Sequence, residues 1–221
     1  MTDDADDPDE RGRNATPNAA VRGAARSGIG PRSAPPPGLA IRAAEPEDAP
    51  AIARLANMPG FRRGTMRPPY QSVADTRAAM ERGEMGGGAN RASILAVLNG
   101  EIVGSAGLTR FAGRRAHVGT LGMGVDDAHA GRGIGTALLA ELLRVADDWW
   151  GLRRIELEVY ADNVPALRLY ERAGFRREGV LRGYAMREGA LLDALAMARL
   201  RDAPLIVGSG TGDDRGEGTD R

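Results

Sequence analysis

The sequence predicts an α/β (α+β) domain with a mixed, mostly antiparallel central sheet of about seven strands and about four flanking helices. The first observation is the element order, β-α-α-β-β-β-α-β-α-β-β, in which helices and strands are mixed along the chain. The second is a hairpin signal at Asn99-Gly100, between two apolar runs. The regular βαβ alternation of a doubly wound nucleotide-binding fold is missing.

The first half of the domain begins with a strand from Leu39 to Ala43. A helix that opens near Pro46 and buries Ile52 and Leu55 comes next. A Pro- and Arg-rich loop, PGFRRGTMRPPYQ, then leads to a second helix around residues 73–82. The hairpin lies in SILAVLNGEIVGSAGLTRF, and a fourth strand is expected over 116–125.

The second half begins with a glycine stretch and a leucine-rich helix that reaches about Trp149. Alternating apolar residues in RRIELEVY predict a half-buried strand. The segment NVPALRLYERAG predicts a short helix with an Asn start and a Gly stop. Two strands, in FRREGVLRGYAM and LLDALAMARL, complete the domain.

Changes in composition along the 221 residues predict a domain over 39–201 and disordered tails over 1–38 and 202–221. The net charge is zero, which predicts no nucleic-acid partner. No apolar run approaches the roughly 20 residues of a membrane span, and the acidic start resembles neither a secretory nor a transit peptide. These features predict a cytoplasmic protein without a membrane partner.

The reactive residue types are few. All 30 cationic residues are Arg, so Walker-type and Schiff-base lysines are excluded. The absence of Cys excludes thiol nucleophiles and thiolate metal sites. Only His117 and His129 could serve as imidazole ligands, so we expect no metal site.

The stretch HAGRGIGTALLAELL, residues 129–143, predicts an anion site, since glycines precede a helix whose free N–H groups favour phosphate. A dinucleotide fingerprint would place Gly where Thr136 stands, and near the start of its domain. A P-loop would need a lysine. The pyrophosphate of coenzyme A fits, and a glycine-rich turn that only caps a core helix is the structural alternative.

The segment MGVDDAHAGRGIGTALL resembles the acyl-CoA-binding motif R/Q-x-x-G-x-G/A of the GNAT N-acetyltransferases, with Ala130 at the Arg/Gln position. Downstream, EVYADNVPALRLYERAGF resembles the second motif of that family through Asn163, Ala166, Tyr170 and Gly174-Phe175. Residues 163, 166 and 170 also share one helical face. The likeness extends from AIRAAEPEDAPAIARLA to GALLDALAMARL.

The resemblance implies acetyl-CoA as co-substrate and no covalent acyl-enzyme. Tyr170 is the implied general acid, and a backbone N–H near Val125 is expected to stabilise the oxyanion. The fourth strand has no carboxylate, so the base is Glu158, His117 or water. The implied acetyl-CoA contacts are Met123, Gly124, Val125, Ala130, Gly131, Arg132, Gly133, Ile134, Gly135, Thr136, Asn163 and Ala166.

Substrate contacts are expected from the Arg-rich loop, where guanidinium groups could bind a substrate carboxylate. The candidates are Arg62, Arg63 and Arg67, with Tyr184 closing the pocket. A solvated Arg loop is the alternative.

The ending EGVLRGYAMREGALLDALAMARL resembles a GNAT subgroup that acetylates small amines, including free L-amino acids. The resemblance therefore implies N-acetyl transfer from acetyl-CoA to the primary amine of a small molecule, an L-amino acid or a related amine. Alternatives within the enzyme class are protein N-terminal, polyamine and antibiotic acetylation. A non-catalytic acyl-CoA-binding regulatory module is a second class, and a dinucleotide oxidoreductase is a distant third. Similar proteins are commonly dimers, so a homodimer is one expected assembly.

Overall fold

The computed structural model describes residues 35–201, so the predicted tails lie outside the described residues except for 35–38. Seven strands form one sheet in the order β1-β2-β3-β4-β5-β7-β6. Only the β4–β5 pair is parallel, which confirms the mixed, mostly antiparallel sheet. The strands are β1 (Leu39–Ala43), β2 (Arg91–Leu98), β3 (Glu101–Arg110), β4 (Val118–Val125), β5 (Arg154–Tyr160), β6 (Arg176–Arg187) and β7 (Ala190–Leu200).

Five helices accompany the described sheet: α1 (Ala49–Asn57), α2 (Pro59–Gly64), α3 (Val73–Glu81), α4 (Ile134–Arg144) and α5 (Val164–Arg172). Four were expected, and α2 lies in the segment predicted as a loop. Six residues are too few to show a helical period, although Pro59 occupies a favoured first-turn position. A π-helical turn, Val145–Trp149, extends α4 to the predicted end.

Local signals place several of these elements. Asn99 and Gly100 both have positive φ, 50° and 87°, as the tight turn between β2 and β3 requires. Ser72 caps α3 by accepting the Asp75 N–H at 2.9 Å. The helix α4 presents Ile134, Leu138 and related leucines to the larger core cluster, while α1, α2 and α3 pack in a second cluster with Leu95.

The β4 and β5 strands separate part-way along their length. They pair only at Val118–Arg154, Gly119–Ile155 and Thr120–Glu156. Beyond this point β4 remains paired with β3 as far as Val125, and β5 remains paired with β7 as far as Tyr160. A cleft therefore opens in the middle of the sheet, between residues 121–125 and 157–160.

Arginine–carboxylate pairs hold the end of the sheet where β4 and β5 are still joined. Arg154 binds Glu156 at 2.7 Å and also pairs with Glu178 on β6. The largely buried Arg199 binds Asp147 at 2.8 Å, which ties β7 to the π-helical turn after α4. Within residues 35–201, no helix is long and apolar enough to cross a bilayer.

Candidate active site

A cavity of about 1230 Å³ occupies the cleft and continues beneath α2. Its walls come from the separated ends of β4 and β5, the start of α4, and α5. Its other end is formed by α2, the loop that follows it, and the first residues of β2. The split in the sheet therefore opens into a larger pocket on the face that α2 covers.

The glycine stretch forms one edge of the cavity. Gly131 and Gly133 have φ of 76° and 83°, which Cβ-bearing residues rarely adopt, and Gly133 is the left-handed N-cap of α4. No side chain caps α4 and no acid lies in its first turn, so its first N–H groups remain available to an anion. Ala130 lines the cavity, whereas Arg132 is exposed and lies outside the lining.

The second motif lies along α5. Asn163 caps this helix by accepting the Ala166 N–H at 3.3 Å, and its amide group donates to the Gly64 carbonyl at the end of α2, also at 3.3 Å. Tyr170 is buried, and its ring meets Phe175 edge-on at 5.7 Å. Burial raises the pKa of Tyr170 to about 12, so its hydroxyl keeps its proton at neutral pH. Residues 163, 166 and 170 all line the cavity.

The short helix α2 lies across the cleft as a roof. Phe61 presses on Gly124 so closely that a Cβ at that position would be 2.3 Å from the Phe61 ring. The Gly60 N–H donates to Asp127 Oδ2 at 2.7 Å. Together with the Gly64–Asn163 hydrogen bond, these contacts fix α2 to β4 and to α5. Sequence reasoning missed Phe61, because the contact joins distant segments and leaves no local pattern.

Glu158 lies on the β5 side of the cleft, two residues beyond the last β4–β5 pair. Its side chain lines the cavity and has no ion pair among the described residues. His117 is exposed just before β4 and lies outside the cavity lining, where its carbonyl accepts the Arg153 N–H at 2.8 Å. The structure therefore brings Glu158, but not His117, to the predicted site.

Asp126 is a buried carboxylate that supports the end of β4. It accepts the Ala128 N–H at 2.9 Å and pairs with Arg54 at 3.1 Å. Burial alone would raise its pKa, but the N–H and the guanidinium outweigh that effect, so the pKa of Asp126 is lowered. The neighbouring His129 is half-buried and lines the cavity, with its Nδ1 3.7 Å from Asp126 Oδ1.

Of the four predicted substrate contacts, only Arg67 lines the cavity. Arg62 and Arg63 lie on α2 outside the lining, and the Arg63 carbonyl accepts a hydrogen bond from Arg187 at 3.1 Å. Tyr184 is 47% exposed on β6 and also lies outside the lining. Over residues 35–201, no group of three or more His, Asp and Glu residues could hold a metal ion.

Comparison with known proteins identifies the fold and the family. The profile of the Acetyltransferase (GNAT) family matches residues 55–175. The L-amino acid N-acetyltransferase AaaT of Escherichia coli K12 is 33% identical over 166 residues, which cover 74% of this chain and 98% of that protein. The chain belongs to the GNAT acetyltransferase family. It is therefore an acetyl-CoA-dependent acyltransferase.

Two further similar proteins cover different shares of the chain. The N-alpha-acetyltransferase RimI of Mycobacterium tuberculosis is 45% identical over 104 residues, covering 45% of this chain and 60% of that protein. The crystal structure of a GNAT acetyltransferase from Streptococcus pneumoniae superposes with a TM-score of 0.64 at 28% identity, covering 73% of this chain and 98% of that one. The seven-stranded GNAT fold is thus confirmed.

The residues present suit the acetyl donor of a GNAT enzyme. The open side of Gly131, where a Cβ would meet nothing within 4 Å, leaves room for a bulky phosphate against the backbone. The separated strands offer β4 backbone groups that β5 does not use. The open side of Gly131 and the unpaired end of β4 both lie along one continuous cavity.

Proposed function

We propose that the enzyme acetylates the primary amine of a small molecule, an L-amino acid or a related amine. The observation that carries this proposal is the convergence of Glu158 and Tyr170, a free carboxylate and a buried protonated phenol, on one roofed cavity at the β4–β5 split. The relationship to the E. coli enzyme, whose name gives L-amino acids as substrates, supports the acceptor class.

In this proposal Glu158 accepts a proton from the substrate ammonium, and the free amine attacks the thioester carbonyl directly. A backbone N–H near Val125 stabilises the negative charge on the carbonyl oxygen. The C–N bond forms, the C–S bond breaks, and Tyr170 protonates the departing thiolate. As the amide forms, the nitrogen releases its second proton to solvent, from which Tyr170 is reprotonated. Met123 and Gly124 contribute backbone groups that align the donor.

The loop from Ala130 to Thr136 is proposed to hold the donor pyrophosphate, chiefly through backbone N–H groups at the start of α4. The loop lacks a polar side chain at residue 130, so the backbone carries more of this task. Asn163 and Ala166 are proposed to face the donor from α5. Because Asn163 also donates to Gly64, it links the donor groove to the roof.

Polyamine and protein N-terminal acetylation are the competing activities. Arg67 in the cavity disfavours a polycation, because like charges repel in a partly buried site. The roof formed by Phe61 over Gly124 narrows the space for an extended peptide. Both observations favour a small acceptor.

Thiol release from acetyl-CoA, measured with L-amino acids, polyamines and peptide N-termini, tests this function. We expect the highest kcat/KM with an amino acid. Glu158→Gln should lower kcat by about 10²-fold, the usual scale of general base catalysis, while Glu81→Gln at the exposed end of α3 should not. Tight coenzyme A binding without turnover of any amine would instead indicate a non-catalytic module.

The assembly is proposed to be a homodimer formed through the β6–β7 hairpin. β6 is an edge strand of the sheet. Val180, Met186 and Leu191 on the hairpin are large, apolar and exposed, and such a surface at a sheet edge favours pairing with a second copy. Sedimentation equilibrium should give a dimer mass, and Met186→Arg with Leu191→Arg should give a monomer.

A further inference from the structure

Two arginines from distant segments meet at the end of the cavity away from α4. Arg91 begins β2, and Arg67 lies in the loop after α2; both line the cavity and both are partly buried. Arg91 was not singled out by the sequence, since one arginine at the start of a strand carries no pattern. The fold brings it to the acceptor side of the proposed reaction centre.

The guanidinium of Arg91 lies over the neighbouring strand β3. Its Nη1 donates to Thr109 Oγ1 at 3.0 Å. Its Nη2 is 3.7 Å from the position that a Cβ on Gly107 would occupy. Its Nε is buried and has no hydrogen-bond partner among residues 35–201. The head group is therefore held against the sheet, and its Nε donor is unused within the described residues.

Neither arginine is neutralised within the described part of the chain. The Arg67 Nη1 has only a long contact of 3.8 Å with Met85 Sδ, and no carboxylate lies within ion-pair distance of either head group. Glu84, the acid that influences Arg91 most, is already bound to Arg82 at 2.7 Å. Burial, with repulsion from Arg91 in the case of Arg67, lowers the pKa of both. An anion between them would relieve these costs.

Two glycines, Gly107 and Gly122, form the floor of the cavity beside Arg91. Gly107 on β3 is paired with Gly122 on β4, and a Cβ on Gly122 would meet nothing within 4 Å. Neighbouring strands are about 4.8 Å apart. A ligand group above Gly122 would therefore lie about one strand spacing away from the guanidinium of Arg91. Beyond β4 lies the split, with Glu158 on its far side.

We propose that Arg67 and Arg91 bind the carboxylate of the acceptor. This contact restricts the enzyme to amines whose carboxylate is attached to the carbon that bears the amine or to the carbon next to it. This inference rests on the proposed function. The carboxylate lies over β3, and the amine extends over Gly122 toward the thioester and Glu158. Decarboxylated amines and polyamines lack the anion and leave the two cations unneutralised.

Matched acceptors test the proposal directly: an L-amino acid, its α-amide, and the corresponding decarboxylated amine. We expect KM for the amino acid to be about 10- to 100-fold lower than for the other two, the scale of a buried charge-assisted hydrogen-bond pair. In Arg91→Met and Arg67→Met, KM for the amino acid should rise by a similar factor. Turnover of the decarboxylated amine and KM for acetyl-CoA should change by less than about 3-fold.

Two controls separate a binding role from a structural one. Arg114→Met, at an exposed position outside the cavity, should leave all constants unchanged. Arg91→Lys, which keeps a charge but loses the planar fork, should restore part of the preference for the carboxylate. Melting temperatures confirm that each variant is folded.

Equal KM values for amino acid, amide and amine in the parent enzyme would overturn the proposal while leaving amine acetylation intact. An Arg91→Met variant that loses activity equally on all three acceptors would also overturn it. A rise in KM for acetyl-CoA would assign the pair to a phosphate of the donor instead. Absence of turnover with every amine would refute the proposed function itself.

Discussion

Tyr170 is a buried residue that lines the cavity, and its burial raises the pKa of its hydroxyl. Tyr170→Phe keeps the edge-on contact with Phe175 and removes only the proton donor. We expect kcat to fall about 10²-fold, with KM for acetyl-CoA little changed, in a thiol-release assay. Tyr70→Phe is the matched control, because Tyr70 is 90% exposed. Unchanged kcat in Tyr170→Phe would remove Tyr170 from acid catalysis.

The raised pKa of Tyr170 also predicts a pH effect on stability. An unfolded tyrosine loses its proton near pH 10, whereas the folded residue keeps it up to a pKa of about 12. The unfolded state therefore releases its proton first, and the free energy of unfolding should fall as pH rises from about 10 to about 12. Urea unfolding of the parent and of Tyr170→Phe over this range measures the difference, and parallel curves would contradict the expectation.

Asp126 provides the opposite case, a carboxylate whose pKa is lowered in the fold. Its stabilising contribution is present above its unfolded pKa, near 4, and is lost as pH falls through the lower folded value. Asp126→Asn should reduce the free energy of unfolding at pH 7 by about 1–3 kcal/mol. It should also flatten the acid side of the stability profile. Glu47→Gln, an exposed substitution, should do neither.

At the scale of elements, β4 carries two glycines with different surroundings. Gly124 lies against α2, whereas Gly122 lies beside open cavity space. A methyl group on Gly124 would collide with Phe61, whereas one on Gly122 would enter open cavity space. We expect Gly124→Ala to displace α2 and lower the melting temperature. Gly122→Ala should leave the melting temperature unchanged and raise KM for the acceptor. Thermal unfolding and steady-state kinetics on both variants separate the effects, and identical behaviour would contradict this geometry.

The individual elements also show which features could be predicted from the sequence and which could not. The alternating strand β5, the Asn99-Gly100 turn, and the start of α4 at the glycine stretch all follow from local signals, and the structure confirms them. Asn163 and Tyr170 are predicted because their segment resembles the second motif of the GNAT family, and their shared helical face agrees with that resemblance. The α2 helix, Phe61 and Arg91 were missed, because their roles depend on packing between segments that are far apart along the chain.

For the whole molecule, the sheet is two halves joined by only three β4–β5 residue pairs. A donor inserted in the split would bridge the halves through backbone groups of β4 and side chains of α5. Amide hydrogen exchange in 121–125 and 157–160 should therefore slow by about 10- to 100-fold at saturating acetyl-CoA. Slowing confined to the 130–136 loop would indicate that only the phosphates are bound.

The arginine–carboxylate pairs that fasten the sheet have a chemical consequence for an enzyme that handles an acyl donor. All 30 of the Lys and Arg side chains counted in the 221 residues are arginine guanidiniums, including Arg154 and Arg199 in the pairs at the joined end of β4 and β5. A guanidinium stays protonated at physiological pH and is not a nucleophile there. No side chain of this protein is thus a primary amine that acetyl-CoA could acetylate, and the ion pairs of the scaffold are inert to the acetyl donor that the enzyme uses.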